Sequence, residues 1–194
     1  RNSALTSLVK TSFLEKGKKF PVIVTPTTPD LDASAWAEGN REYIQALLHK
    51  HAGILFRDFP LKTPQDFESF AQAICPRLYG EYGDLPKKEG GEKTYKSTPY
   101  PENQMILYHN ESSHLHKWPT KQWFFSEVVA PVGGETPIVD CREMYRLMPE
   151  PILQKLEQKK LLYVRNFTQQ LDVSWQAFFK TDSKEAVERK CKEE

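Results

Sequence analysis

Apolar residues along this chain change their spacing several times, and each change predicts an element. Phe20-Pro21-Val22-Ile23-Val24 is a short extended run bounded by Pro26 and Pro29, which predicts an edge strand because proline cannot donate to a ladder. Asp32 then reads as a helix cap. Trp36, Asn40, Tyr43, Ile44, Leu47, Leu48 and His51 recur at helical spacing, so one amphipathic helix is expected to about Lys50, weakened by Gly39. Gly53 to Phe59 is a continuous apolar run of strand length, expected to be buried on both faces. Thr63-Pro64-Gln65-Asp66 carries a capping threonine, a proline at the first helical position and an acid at the third. It predicts a second helix with Phe67, Phe70, Ala71 and Ile74 on its apolar face.

From Pro76 to Asn103 glycines and prolines alternate with charges, so residues 76–103 are expected to form a long loop or lid. Short apolar runs then return at 104–111, 121–128, 136–139 and 160–167, each of strand length. Pro131-Val132-Gly133-Gly134 forms a turn with freedom for positive φ. Arg142 to Met148 and Pro151 to Lys159 predict two short helices, the second with Ile152, Leu153 and Leu156 on one face. A last helix opens at Asp182 and Glu185 and runs through Val187 and Cys191. The fold class expected from this order is mainly β with flanking helices.

The candidate chemistry sits at the end of the run Met105-Ile106-Leu107-Tyr108-His109-Asn110-Glu111. Side chains two apart on a strand share a face, so His109 and Glu111 would converge while Asn110 points away. An imidazole and a carboxylate on one edge are two thirds of the facial triad that binds non-haem Fe(II) with open coordination positions. The pair alone is also what an ordinary solvated strand end looks like. His114 and His116 would have to bend sharply back to join them, and loop histidines at this distance more often meet substrate or solvent. His49 and His51 belong to a helix C-terminus, where the dipole favours cations, and read as structural.

Composition narrows the partners. The 194 residues include 27 basic and 26 acidic side chains, a formal net charge of +1, which offers no electrostatic footprint for nucleic acid and suits a small-molecule partner. Cys75, Cys141 and Cys191 are far apart and odd in number, which reads as reduced, buried thiols. No apolar run approaches the roughly 20 residues of a membrane span, and a cytoplasmic location is expected. The oligomeric state is open.

The sequence His109-Asn110-Glu111-Ser112-Ser113-His114, followed by Trp118-Pro119, Trp123-Phe124-Phe125 and Gly133-Gly134-Glu135-Thr136-Pro137-Ile138-Val139-Asp140, resembles the taurine dioxygenase and clavaminate synthase superfamily of Fe(II)/2-oxoglutarate oxygenases. The likeness runs from about Phe13 to the C-terminus and is closest to the branch that holds the syringomycin-pathway aspartyl hydroxylase. It implies a jelly roll (double-stranded β-helix), with residues 1–194 forming the N-terminal part of a single oxygenase domain cut before its closing strands. It implies His109 and Glu111 as catalytic metal ligands, Thr136 as a donor to a 2-oxoglutarate carboxylate, and Fe(II), 2-oxoglutarate and O2 as cofactor and cosubstrates. The family's distal ligating histidine and its 2-oxoglutarate-pairing arginine have no counterpart in the chain. The implied reaction is hydroxylation of an unactivated carbon in an amino acid or a molecule derived from one, free or tethered to a carrier protein, in secondary metabolism. Glu111 keeps the carboxylate that related halogenases lack. Two other readings stand beside this one: a non-catalytic jelly-roll binding protein, and a zinc hydrolase using His109 and Glu111 with His114 or His116.

Overall fold

A computed structural model describes residues 8–80, 89–96, 104–115, 117–168 and 174–193. These residues fall into two compact units, one of residues 1–109 with 121–144 and one of residues 110–120 with 145–194.

The first unit is built on a three-stranded sheet in the order β1 (Val9–Phe13), β2 (Val22–Pro26), β3 (Ile54–Phe56). β1 pairs antiparallel with β2, Val9 opposite Pro26 and Phe13 opposite Val22, and β2 pairs parallel with β3, Val22 opposite Ile54. β2 is therefore the central strand, against the edge position expected from its prolines. Pro21 precedes the strand and Pro26 closes it, so neither removes a donor from the residues between them, and Val22 and Val24 are fully buried on one face. β1 was not foreseen: apart from Val9 its residues are exposed, which leaves little apolar signal in VKTSF. β3 is only half-buried along its length, because no fourth strand covers it among the described residues.

The parallel step from β2 to β3 needs a crossover, and two helices supply it. α1 (Ala33–Gly39) and α2 (Arg41–His51) replace the single helix expected. Gly39 weakens the first helix, and Asn40 ends it: its side-chain Nδ2 donates to Trp36 O at 2.7 Å while its own carbonyl accepts from Ile44 N at 3.0 Å and starts the second. Asp32 caps α1 through a 2.9 Å bond from Ala35 N.

α3 (Pro64–Ile74) follows its sequence signature closely. Thr63 Oγ1 accepts from Asp66 N at 3.1 Å and Asp66 Oδ2 accepts from Thr63 N and Lys62 N, both at 3.0 Å, a reciprocal capping box with Pro64 in the first turn. Phe70 packs edge-on to Phe56 and tilted to Phe59, joining Val24, Trp36, Ala37 and Ile44 in the core. Phe67, expected in the core, is half-buried and stacks on Phe125 at 5.2 Å.

α4 (Cys141–Leu147) and α5 (Glu150–Lys159) stand where two short helices were expected, α7 (Lys184–Glu193) matches the last, and α6 (Trp175–Phe179) is additional. The strands expected at 104–111, 121–128, 136–139 and 160–167 are not formed among the described residues, and neither is a jelly roll. A strand exists only through ladder bonds to a neighbour, and these runs lack one: Leu107 remains 75% and Leu162 89% exposed. Cys141 and Cys191 are exposed and Cys75 half-buried, so the burial expected of the three thiols is not found. No helix of the described residues is long and apolar enough to cross a membrane.

Candidate functional site

His109 lies in the irregular stretch that precedes a turn over residues 111–115, and its side chain is exposed. Its Nδ1 lies 2.8 Å from Leu107 O. A carbonyl only accepts, so Nδ1 is the donor in this contact, as it is in a metal-ligating histidine held by a backbone carbonyl. Glu111 is half-buried, and its Oε1 accepts from Ser112 N at 3.1 Å and from Ser112 Oγ at 3.4 Å. Ser112 has φ +54°, so the backbone reverses immediately after the carboxylate.

His109 belongs to the first unit and Glu111 to the second. Since the strand is not formed, the alternation that would aim both side chains at one point does not operate in this structure. Among the described residues no three His, Cys, Asp or Glu side chains gather into a metal-binding set. His109 and Glu111 have the donor chemistry for Fe(II), and a facial triad needs one protein ligand more.

The other histidines have different employment. His114 faces the Tyr163 ring at 6.4 Å, and Tyr163 Oη donates to Ser113 Oγ at 3.2 Å, which ties the turn to the segment before Phe167. His116 lies outside the described residues. His51 is buried at the end of α2, donates from Nδ1 to Lys19 O at 2.8 Å and packs on Phe13, while His49 accepts from Gln45 Nε2 at 2.6 Å. Both are structural parts of that helix end.

Thr136 is exposed and follows Gly133 and Gly134, whose φ values of +70° and +79° realise the expected turn. A Cβ on Gly134 would stand 2.6 Å from Ala130 Cβ, so the turn excludes any other residue there on both conformation and space. Four residues on, Asp140 and Arg142 form a contact that the sequence pattern gives only as the start of a helix. Arg142 Nε and Nη2 donate to Asp140 Oδ1 and Oδ2 at 3.1 and 3.0 Å, and Nη1 donates to His49 O at 2.6 Å. The Arg142 guanidinium holds the Asp140 carboxyl below its ordinary range, and the carboxylate in turn raises Arg142.

Glu68 is the second residue the pattern missed. It lies on α3 and is buried, and its Oε2 accepts from Lys93 N at 2.9 Å and Thr94 Oγ1 at 3.0 Å, pinning residues 89–96 of the expected loop to the helix. The only available signal was a carboxylate one residue from the apolar stripe.

Residues 21–193 match the model of the family described as "Taurine catabolism dioxygenase TauD, TfdA family". The chain is 30% identical to the dapdiamide synthesis protein DdaC of Enterobacter agglomerans across 92% of its own length and 54% of that protein, and 28% identical to a clavaminate synthase-like protein of Arabidopsis thaliana across 91% of its length and 59% of that protein. It thus spans little more than half the length of these curated relatives. The match takes in β2, the crossover helices, His109, Glu111, Thr136 and Asp140 in one continuous stretch, and the chain belongs to the TauD/TfdA family of dioxygenases.

Proposed function

We propose that the protein is an Fe(II)- and 2-oxoglutarate-dependent oxygenase that hydroxylates an unactivated carbon of an amino acid or amino-acid-derived small molecule in a biosynthetic pathway. The observation that carries this reading is the family match over residues 21–193, which includes a histidine and a carboxylate two apart. The 2.8 Å approach of His109 Nδ1 to Leu107 O supports it, because metal-ligating histidines commonly donate their other ring nitrogen to a backbone carbonyl. The printed name of the Enterobacter relative, a synthesis protein, supports the biosynthetic setting.

In this reading His109 and Glu111 are two protein ligands of Fe(II), and Thr136 donates to a carboxylate of 2-oxoglutarate through a charge-assisted hydrogen bond. The bound metal and cosubstrate supply the oxidising power for C–H cleavage. By the resemblance, a distal histidine would be the third ligand and an arginine would pair with the far carboxylate of 2-oxoglutarate.

Full-length protein, loaded anaerobically with Fe(II), tests the reading by succinate formation from 2-oxoglutarate on admission of O2. Iron- and 2-oxoglutarate-dependent succinate, lost in His109→Ala and Glu111→Ala, is the expected result. Hydrolytic turnover that needs zinc and ignores 2-oxoglutarate would refute it.

A further inference from the structure

Thr136 sits in a stretch without ladder bonds among the described residues, so its position has to be fixed by something other than a sheet. The structure offers two anchors within six residues of it. Ile138 reaches the residue before β3, since a Cβ at Gly53 would lie 3.7 Å from Ile138 Cδ1, an ordinary van der Waals distance. The second anchor is the Arg142 fork. The Nε and Nη2 edge of the guanidinium is bidentate on Asp140, its Nη1 reaches His49 O, and Arg142 N adds a 3.0 Å bond to Asp140 Oδ1. His49 is in the last turn of α2, where backbone carbonyls lack helical partners and the dipole favours a cation. That helix end is itself fixed, by Ala52 N on Leu48 O at 2.8 Å and by His51 on Lys19 O.

We propose that Arg142 is a positioning residue for 2-oxoglutarate binding: by bridging Asp140 to the C-terminal carbonyl of α2 it holds the Pro137–Asp140 segment, and with it the Thr136 hydroxyl, in place. The inference rests on the reading of Thr136 as the cosubstrate donor. Planar geometry matters here, because three donor nitrogens of one guanidinium serve three acceptor oxygens on two residues, and a lysine ammonium cannot reproduce the fork. Asp140 is the second half of the device, since without it the guanidinium has no tie to the Thr136 segment.

The test uses full-length protein with Fe(II) under anaerobic conditions and 2-oxoglutarate itself as the titrant, followed by calorimetry, with amide exchange over residues 135–139 measured on the same variants. Arg142→Met is expected to raise the 2-oxoglutarate dissociation constant roughly tenfold, the worth of one charge-assisted hydrogen bond. It should speed exchange at 135–139 and leave iron stoichiometry unchanged. Arg142→Lys should recover little of the affinity. A double variant with Thr136→Val should bind no worse than the weaker single variant, because one effect acts through the other. Should Arg142→Met fail to fold, Asp140→Asn, which keeps the bond to His49 O, is read in its place with the same expectation. Weakened binding in Thr136→Val beside normal binding in Arg142→Met would overturn the inference alone, as would full additivity in the double variant. Unchanged binding in Thr136→Val would overturn the reading of Thr136 and the inference together.

Discussion

Replacing Glu68 by alanine gives the sharpest test of how the loop between α3 and the His109 segment is held. The carboxylate is 3% exposed and both of its described bonds go to the loop, at 2.9 Å from Lys93 N and 3.0 Å from Thr94 Oγ1. Hydrogen bonds to a charged acceptor contribute about 1.5–3 kcal/mol each. Two corrections lower their sum: the half-buried Thr94 hydroxyl can turn to water, and removing the carboxylate also removes the cost of burying it. A net loss of about 2 kcal/mol remains, or roughly thirtyfold in an opening constant. Because the bonds tie one loop to one helix, the loss should appear as local opening before it appears as global unfolding. Amide exchange at Lys93 in the full-length protein is the assay, with Glu68→Gln expected to lie between wild type and alanine. Gly91→Ala should have a similar effect by another route, since a Cβ there would stand 2.8 Å from Thr94 Cβ and 3.0 Å from Glu68 Oε2. A change in Lys93 protection of less than about threefold in Glu68→Ala would refute the reasoning.

The remaining predictions concern the site and the helix cap. His109→Ala and Glu111→Ala should each abolish stoichiometric iron in the full-length protein, whereas His49→Ala should leave it unchanged; elemental analysis reads both, and iron retained by the first two would remove them from the ligand set. Thr136→Val should weaken 2-oxoglutarate by about ten- to hundredfold with iron content intact, as expected for loss of a donor to a charged acceptor. Thr63→Ala should destabilise α3 by about 1 kcal/mol, measured by denaturant unfolding. Asp66 is held below its ordinary carboxylate range chiefly by the Lys62 amide and then by the Thr63 side chain. Its contribution is therefore complete above the unfolded value near 4 and is lost as pH falls through the lower folded value, so Asp66→Asn should flatten that part of the stability–pH curve.

Local chemistry was the legible part of the fold. The capping box of α3, the cap at Asp32, the positive-φ glycines of the 133–134 turn and the helices at α4, α5 and α7 are each written within a few neighbouring residues, and the structure has them all. What failed was information held between distant residues. Helical spacing continues through Asn40 and predicts a single helix, whereas the buried Asn40 side chain, bonded to Trp36 O, shows why the chain restarts there. Prolines at 21 and 26 point to an edge strand by their presence, but their positions leave the donors of residues 22–25 intact, and β2 is central.

The same distinction decides the site. A histidine and a glutamate two apart specify a shared face only if the backbone between them is extended and pinned, and pinning is a property of the neighbouring strand. Among the contacts of His109 is the carbonyl two residues back, and among those of Glu111 the amide of the next residue, both within the motif. Apolar Ile106, Leu107 and Tyr108 before it, and Leu161 to Val164 in the other unit, stay exposed; their pattern reports a capacity for burial and does not supply the surface that would use it. Thr136 is the instructive contrast. It too lacks a ladder, yet Ile138 at Gly53 and Arg142 on His49 O tie its segment to elements that are already packed. Order at Thr136 therefore comes from contacts within the first unit.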